Sequence, residues 1–134
     1  MNYYLDTNIC VFFLRGKNQN ILKALLSHDL ASVKIPTVTA AELCYGALKS
    51  AKYKENIRQV KEFLSAFEIV PFDFNDAVRY GEIRAALEKR GCCIGPNDLL
   101  IAASALSRNA VLVTNNTREF SRIEGLILED WTKT

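Results

Sequence analysis

The chain has 134 residues and a formal net charge of +2, and 49% of its residues are apolar. This length is enough for one domain with a hydrophobic core, which we expect to span residues 1–134, and the charge is too small for a protein that holds nucleic acid by charge alone. Four cysteines without a C-x-x-C pair and a single histidine argue against a zinc site. The longest apolar runs, of about six residues, are far shorter than the roughly 20 that span a bilayer, and no signal-peptide pattern opens the chain, so we expect a cytoplasmic protein.

Short apolar runs and helical periodicities alternate along the chain. In order, they predict a strand at 2–6, helices at 7–16 and 19–28, a strand at 31–36, helices at 37–50 and 55–67, a strand at 68–72, helices at 75–91 and 95–109, a strand at 110–114, a helical turn at 117–123 and a strand at 126–131. Thr37 and Asn75 are the expected N-caps of their helices, and Gly16 and Gly91 the expected stops. Because the strands are apolar runs rather than two-faced alternations, we expect an α/β fold with helices on both faces of a parallel sheet.

Three acidic residues stand out against this frame. Asp6 ends the first strand inside an otherwise apolar stretch, where an unpaired buried carboxylate is costly. Asp98 lies in the first turn of a helix that is apolar nearly all round, and Glu42 lies in a narrow polar stripe on its own helix. That stripe also contains Thr39, Gly46, Lys49 and Ser50. Each acid has an ordinary interpretation, since Asp6 and Asp98 suit helix caps and Glu42 suits a solvated edge.

A metal site explains the three acids together. Sites in parallel α/β sheets form beyond the carboxyl ends of the strands, where Asp6 and the segment 113–116 are expected. If Glu42 and Asp98 face the same crevice, the carboxylates repel one another unless a cation neutralises them. Without a His or Cys ligand set, the chain suits a hard divalent cation, Mg²⁺ or Mn²⁺. Such an ion activates water and offsets charge on phosphate, so we expect chemistry on phosphates.

Five segments in chain order carry a family resemblance. They are "YLDTNICVFFL", "VTAAELCYGALKS", "IGPNDLLIAASAL", "VLVTNNTREF" and the closing "LEDW". Together they cover essentially the whole chain and resemble the PIN-domain toxins of the VapC family. The resemblance implies a PIN-domain three-layer α/β/α sandwich around a short, mostly parallel sheet. It also implies a Mg²⁺- or Mn²⁺-dependent endoribonuclease that is the toxin of a type II toxin–antitoxin pair. Such a toxin is inhibited by a VapB-type antitoxin, commonly forms a homodimer, and is expected to form a higher hetero-oligomer with the antitoxin.

The resemblance also assigns site residues. The family's acidic positions fall on Asp6, Glu42 and Asp98, which are implied as the metal ligands and catalytic residues. Many PIN domains have a further Asp where this chain has Asn116. Glu119, about one helical turn on, is the candidate for the missing charge. We therefore include Asn116 and Glu119 in the predicted catalytic site.

Further polar residues are expected around these acids. Thr7, Asn8 and Thr114 are expected to orient ligands or bound waters, although turn and cap roles explain them equally well. Contacts to the RNA backbone are assigned to Arg15, Lys17, Lys49 and Arg118. Contacts to a second copy or to the antitoxin are assigned to Arg84 or Arg90.

Three classes of function are compatible with the residues. The first is a metal-dependent endoribonuclease that cleaves structured RNA, in a tRNA-like or rRNA loop, by metal-activated water. The second is a phosphotransferase or phospho-acceptor domain with Asp6 as nucleophile, although such phosphatases usually have Asp where Asn8 stands. The third is a binding protein in which the acids are caps and surface charges. Dinucleotide binding is disfavoured because no G-x-G-x-x-G follows a strand.

The first two helices are rich in apolar side chains that either cover the sheet or line a groove for a partner. These are Ile9, Phe12, Phe13, Ile21, Leu22, Leu25 and Leu26. An antitoxin helix or strand in such a groove is what the family resemblance suggests.

Overall fold

Five short strands form one parallel sheet in the order β3-β2-β1-β4-β5. Their bounds in the computed structural model, which describes residues 1–133, are Tyr3–Leu5 (β1), Val33–Pro36 (β2), Glu68–Val70 (β3), Val111–Val113 (β4) and Ile127–Glu129 (β5). Every strand pair runs parallel, with Tyr3 opposite both Val33 and Val111 in the centre of the sheet. Thr134, the last residue of the predicted domain, lies outside the described residues.

Seven α-helices connect these strands within residues 1–133. They are Thr7–Leu14 (α1), Gln19–Ser27 (α2), Thr37–Leu48 (α3), Tyr53–Leu64 (α4), Phe74–Lys89 (α5), Pro96–Ser107 (α6) and Thr117–Phe120 (α7), and a 3₁₀ turn spans Leu30–Ser32. Among the described residues, no helix is apolar over the length that crossing a bilayer requires.

The helices form two layers, one on each face of the sheet. Neighbouring β1 residues point to opposite faces, so Tyr4 packs with α5 and α6 while Leu5 packs with α1 to α4. The other strands divide in the same way, with Leu112 in the first cluster and Val113 in the second. The predicted three-layer α/β/α sandwich is therefore confirmed.

Two predicted helix stops are confirmed by the backbone. Gly16 follows α1 with φ at 65°, and Gly91 follows α5 with φ at 67°. Both lie in the left-handed region, which glycine enters without the steric cost that a Cβ imposes. The chain reverses after each helix at the position that the sequence indicates.

Two predicted N-caps are wrong. Thr37 is already helical, and its hydroxyl donates to the Val70 carbonyl at 2.6 Å, which links the end of β2 to the end of β3. Asn75 lies inside α5, because Asp73 caps that helix and exchanges hydrogen bonds with Asp76. This reciprocal pair satisfies two free N–H groups at once, which one cap at Asn75 does not do.

Candidate active site

The site lies at the carboxyl ends of β1 and β4. The chain leaves β1 towards β2 on one side and returns to β4 on the other, so the strand order reverses at this point. Such a switch point opens a crevice in an α/β sheet. Asp6 stands directly after β1, with its N–H donating to the Val113 carbonyl at 3.0 Å, and Thr114 stands directly after β4. The connections themselves therefore bring the ends of two distant segments together.

Asp6 is both a helix cap and a member of a carboxylate group. Its side chain is 3% exposed, and its Oδ1 accepts the Ile9 N–H at 3.0 Å, so it caps α1. Burial raises the pKa of Asp6 to about 6, against hydrogen bonds from Thr114 and Ile9 that lower it. The charges of Asp98 and Glu42 make smaller contributions to this increase. The cap explains the position of Asp6, and the neighbouring acids add an electrostatic cost that a cap alone does not involve.

Asp98 is not used as a cap. Helix α6 begins at Pro96 with Gly95 as its N-cap, and no side chain closes that end. Among residues 1–133, the Asp98 carboxylate takes part in no hydrogen bond or salt bridge. Burial raises its pKa, and the charges of Glu42 and Glu119 raise it further. Its carboxylate is therefore free to bind a ligand in the crevice.

Glu42 is held by two hydrogen bonds from different elements. Thr7 donates its hydroxyl to Oε1 at 2.5 Å, and Asn97 donates Nδ2 to Oε2 at 3.1 Å. The expected crevice-facing position of Glu42 on α3 fits these contacts. Thr39, however, is not part of an open polar stripe, because it is fully buried and donates to the Leu5 carbonyl at 3.1 Å. The stripe is interrupted where α3 packs on β1.

Asn116 and Glu119 form a pair at the rim of the crevice. Asn116 donates Nδ2 to Glu119 Oε2 at 3.1 Å, and its N–H donates to the Thr114 hydroxyl at 2.9 Å. Since the charge of Glu119 raises the pKa of Asp98, the pair faces the acidic group. Both residues thus lie beside the three main acids, with Glu119 supplying a fourth negative charge.

The remaining predicted residues divide into two groups. Two of them contact the acids directly, since Thr7 donates to Glu42 and Thr114 donates to Asp6. Arg15 and Lys49 line a pocket that Glu42 also lines. Five others form no side-chain hydrogen bond or salt bridge with the site acids within residues 1–133, and they are Asn8, Lys17, Arg118, Arg84 and Arg90. Asn8, Lys17 and Arg118 are exposed. Arg84 pairs with Tyr80 and Glu88, and Arg90 donates to Cys92 and to the Arg122 carbonyl.

The sequence analysis missed Asn97. This residue precedes Asp98, and its amide reaches Glu42 across 55 residues of chain. The only local signal was its presence in "GPND", which was interpreted as a helix start. Because Asn97 and Asp98 share the first turn of α6, one helix end orients Glu42 and carries a second carboxylate.

The donor set has the chemistry that Mg²⁺ or Mn²⁺ requires. Asp6, Asp98 and Glu42 offer only oxygen ligands, and their mutual repulsion is relieved by a positive charge. In the part of the chain that the structure describes, no three His, Cys, Asp or Glu side chains are arranged to hold a metal ion. Mg²⁺ is commonly held by only one or two carboxylates, and waters and substrate phosphate supply its other ligands. Asp6 and Asp98 can provide these two carboxylates.

Comparison with known proteins agrees with this geometry. The PIN domain family matches residues 3–126. Ribonuclease VapC2 of Rickettsia felis is 45% identical over 99% of this chain and 100% of its own length. The chain belongs to the VapC family. A second VapC relative, the tRNA(fMet)-specific endonuclease VapC of Salmonella typhimurium, is 40% identical over 98% of both chains.

The VapC fold is shared in detail with a solved structure. The crystal structure of DNA-bound VapBC from Salmonella typhimurium superposes with a TM-score of 0.93 at 40% sequence identity, covering 98% of both chains. The predicted PIN-domain fold and the predicted membership of the VapC family are therefore both confirmed.

Proposed function

We propose that this VapC-family chain is a Mg²⁺-dependent endoribonuclease, for which Mn²⁺ can substitute, and the toxin of a type II toxin–antitoxin pair. The observation that carries the proposal is the convergence of Asp6, Asp98 and Glu42 at the switch point of the sheet, where burial and mutual repulsion raise the pKa of two of them. The names of the Rickettsia and Salmonella relatives, a ribonuclease and a tRNA-specific endonuclease, support RNA as the substrate.

Each acidic residue has a separate role in this proposal. Asp6 and Asp98 hold the cation, because Asp6 is fixed as the cap of α1 and Asp98 has a free carboxylate. When bound, the cation activates a water molecule for attack and offsets charge on the phosphate in the transition state. Glu42, fixed by Thr7 and Asn97, orients the attacking water and accepts its proton. Asn116 and Glu119 complete the rim without a direct role in holding the first cation.

The site suits substrate phosphate as well as metal. Four acids at one crevice repel RNA in the absence of a cation, since phosphate and carboxylate carry the same sign. A divalent ion held by Asp6 and Asp98 would offset part of this negative charge and would offer a positive centre to the phosphate. Metal binding and RNA binding are therefore expected to be coupled, and removal of the metal to prevent both binding and cleavage.

Metal binding provides the first test. We expect Mn²⁺ to bind the wild-type protein in a calorimetric titration, and Asp98→Asn to weaken that binding about ten-fold or more, because an amide oxygen lacks the carboxylate charge. Cleavage of total RNA should require Mg²⁺ and stop in EDTA. Asp29→Asn is the matched control, because Asp29 is an exposed aspartate that caps a 3₁₀ turn. Undiminished cleavage in EDTA, or equal Mn²⁺ affinity in both variants, contradicts the proposal.

We also propose that a VapB-type antitoxin binds an apolar groove between α2 and α4, called here the α2–α4 groove. It has a volume of about 520 Å³ and is lined mainly by Phe13, Leu22, Leu25, Leu26, Phe63 and Phe67. Of the seven apolar residues predicted for such a groove, four line it, and the other three, Ile9, Phe12 and Ile21, pack in the cluster that covers the sheet. Leu22 and Leu26 are exposed at 45% and 77%, which suits the apolar face of a partner helix.

A charge in the α2–α4 groove provides the second test. Leu26→Glu is expected to weaken binding of the cognate antitoxin about ten-fold or more, since it buries a charge against an apolar helix. RNA cleavage by the free toxin should be unchanged. Ile127→Glu is the control, because Ile127 is a 49% exposed apolar residue on edge strand β5. Binding can be measured by calorimetry with purified antitoxin, and equal affinity of both variants contradicts this docking site.

The remaining expectations belong to the same proposal. Residues 1–134 act as a single domain in the cytoplasm, cut a structured RNA in a tRNA-like or rRNA loop, and form a homodimer that becomes a higher hetero-oligomer with antitoxin. Light scattering of the free toxin and of the toxin–antitoxin complex distinguishes these assemblies by mass. Sequencing of cleavage ends in total RNA identifies the class of RNA that is cut.

A further inference from the structure

A second pocket adjoins the acidic site on the side of Glu42. It lies between α1, α3 and α4, has a volume of about 290 Å³, and is called here the α1–α3–α4 pocket. Apolar side chains, including Leu43 and Val60, contribute to its lining, and Arg15, Lys49, Asn56 and Gln59 also border it. Gln59 borders both this pocket and the α2–α4 groove, whereas Leu43, Gly46, Lys49, Asn56 and Val60 border this pocket and not the groove.

We propose that the α1–α3–α4 pocket binds an unpaired nucleobase next to the cleaved phosphate, an inference that rests on the proposed ribonuclease function. An extruded base presents flat apolar faces and a polar edge, and RNA-binding proteins bind such bases with apolar surfaces and hydrogen-bonding side chains. The apolar lining with Leu43 and Val60 supplies the first requirement, and the amides of Asn56 and Gln59 supply the second. Since Glu42 is itself part of the lining, a base in this pocket lies beside the site of cleavage.

The amides retain capacity for a base edge. Asn56 donates one hydrogen bond, from Nδ2 to the Ser50 hydroxyl at 2.8 Å, which leaves its Oδ1 and a second N–H available. Gln59 is exposed and makes no side-chain hydrogen bond within residues 1–133. Between them these two residues offer both donors and acceptors to the edge of a base.

Charge favours an anionic occupant, such as a nucleic acid, over a cationic or purely apolar one. Arg15 and Lys49 border the pocket, and neither takes part in a salt bridge within the part of the chain described. Lys49 instead stands over the Tyr45 ring, with Nζ at 4.9 Å from its centroid. Two positive side chains without a salt-bridge partner, next to an apolar pocket, suit a base in the pocket with its flanking phosphates outside it.

Gly46 offers a way to fill the pocket without damaging the fold. It lines the pocket from α3, and a Cβ built on it meets no atom within 4 Å. Leucine is also a better helix former than glycine, so Gly46→Leu should not lower the thermal midpoint. Gly81→Leu is the matched control, because Gly81 is an exposed glycine inside α5 that also has no neighbour within 4 Å of its Cβ position.

The decisive experiment combines the filled pocket with RNA that lacks a base. Wild-type cleavage of a hairpin RNA with a randomised loop locates the cleaved bond, and abasic substitution at each flanking position finds the recognised base.

We expect Gly46→Leu to reduce kcat/KM about ten-fold or more, with unchanged Mn²⁺ affinity, while Gly81→Leu cleaves as wild type does. The abasic RNA should then be cut equally by wild type and Gly46→Leu, because each change removes the same contact.

The outcomes separate this proposal from the ribonuclease function. If the wild type cuts no RNA, the proposed function fails. If it cuts RNA and Gly46→Leu cuts the intact substrate equally well, the base pocket is wrong. Additive losses from the abasic RNA and the filled pocket also overturn it. Unchanged cleavage with weakened antitoxin inhibition assigns the pocket to the protein partner instead.

A second variant tests the amide of Gln59. Gln59→Leu keeps the apolar lining of the pocket but removes the hydrogen-bonding groups, so it should change the base preference in the randomised loop. An unaltered preference contradicts recognition of the base by this amide.

Discussion

Replacing Asp6 by asparagine is expected to abolish RNA cleavage and, at the same time, to make the metal-free protein more stable at neutral pH. Metal-ion catalysis contributes several kcal/mol to transition-state stabilisation, so loss of a ligand charge should reduce cleavage at least about a hundred-fold. Asparagine retains an oxygen that can accept the Ile9 N–H, so the cap of α1 is preserved. Activity and stability therefore change in opposite directions at one residue.

The sign of the stability change follows from the raised pKa. The pKa of Asp6 is about 6 in the folded protein, against an ordinary value of 3.8. Between these two values the folded state binds more protons than the unfolded state, so the free energy of unfolding falls as the pH rises. The loss is complete above pH 6 and amounts to roughly 3 kcal/mol. Asp98, whose pKa is also raised, contributes a loss of the same sign.

Urea unfolding across the pH range measures this effect. The contribution of this site should make the wild type more stable near pH 4 than near pH 7. Asp6→Asn should show a weaker dependence on pH. Near neutral pH its free energy of unfolding should exceed that of the wild type by about 1–3 kcal/mol. Added Mn²⁺ should stabilise the wild type and leave Asp6→Asn almost unaffected. Asp29→Asn, the exposed capping control, should show neither the gain nor the loss of cleavage. A destabilised Asp6→Asn protein at neutral pH contradicts the assignment of an electrostatic cost to Asp6.

The sequence was sufficient for the fold, and it singled out the candidate acids, because both depend on local patterns. Apolar runs and helical periods located the five strands, and the strand ends located Asp6. Asp98 was identifiable because α6 is otherwise nearly all apolar. Parallel strands place their carboxyl ends along one edge, so the meeting of these residues followed from topology.

The details that the sequence could not supply depend on distant contacts. Thr39 has the helical spacing of a polar stripe, but β1 brings the Leu5 carbonyl against it. Asn97 reaches Glu42 only because α3 and α6 pack at the same crevice. At the start of α5, "FDFND" offers two capping residues in three positions, and only the reciprocal bond with Asp76 favours Asp73. Spacing along the chain contains no information about such partners.

A buried ion pair at the far end of α6 should produce the largest loss of stability. Asp76 is fully buried and accepts hydrogen bonds from the Asp73 N–H and the Ser107 hydroxyl. Arg108 binds Asp76 at 2.9 Å and Asp73 at 3.3 Å, and it donates to the Pro71 carbonyl at 2.9 Å. This one guanidinium therefore ties the end of α6 to the start of α5.

Arg108→Leu is expected to lower the free energy of unfolding by about 3–5 kcal/mol, because it leaves the charge of Asp76 buried without its partner. The double variant Asp76→Asn/Arg108→Leu should be less destabilised than Arg108→Leu alone, since no uncompensated charge remains. Arg84→Leu is the control for loss of an arginine on an exposed helix surface, where the pair with Glu88 should have little effect. Urea midpoints of all three proteins measure these differences.

The ion pair and the acidic site should be separable by experiment, although one helix links them. Asp98 and Arg108 lie ten residues apart on α6 and its C-cap, about 15 Å along the helix axis. Folded Arg108→Leu protein, assayed well below its unfolding midpoint, should therefore retain Mn²⁺ affinity and RNA cleavage. If Arg108→Leu is no less stable than Arg84→Leu, the assignment of a large stabilising role to this ion pair is wrong. If the folded variant loses Mn²⁺ affinity, α6 transmits the change to Asp98 and the two ends are not independent.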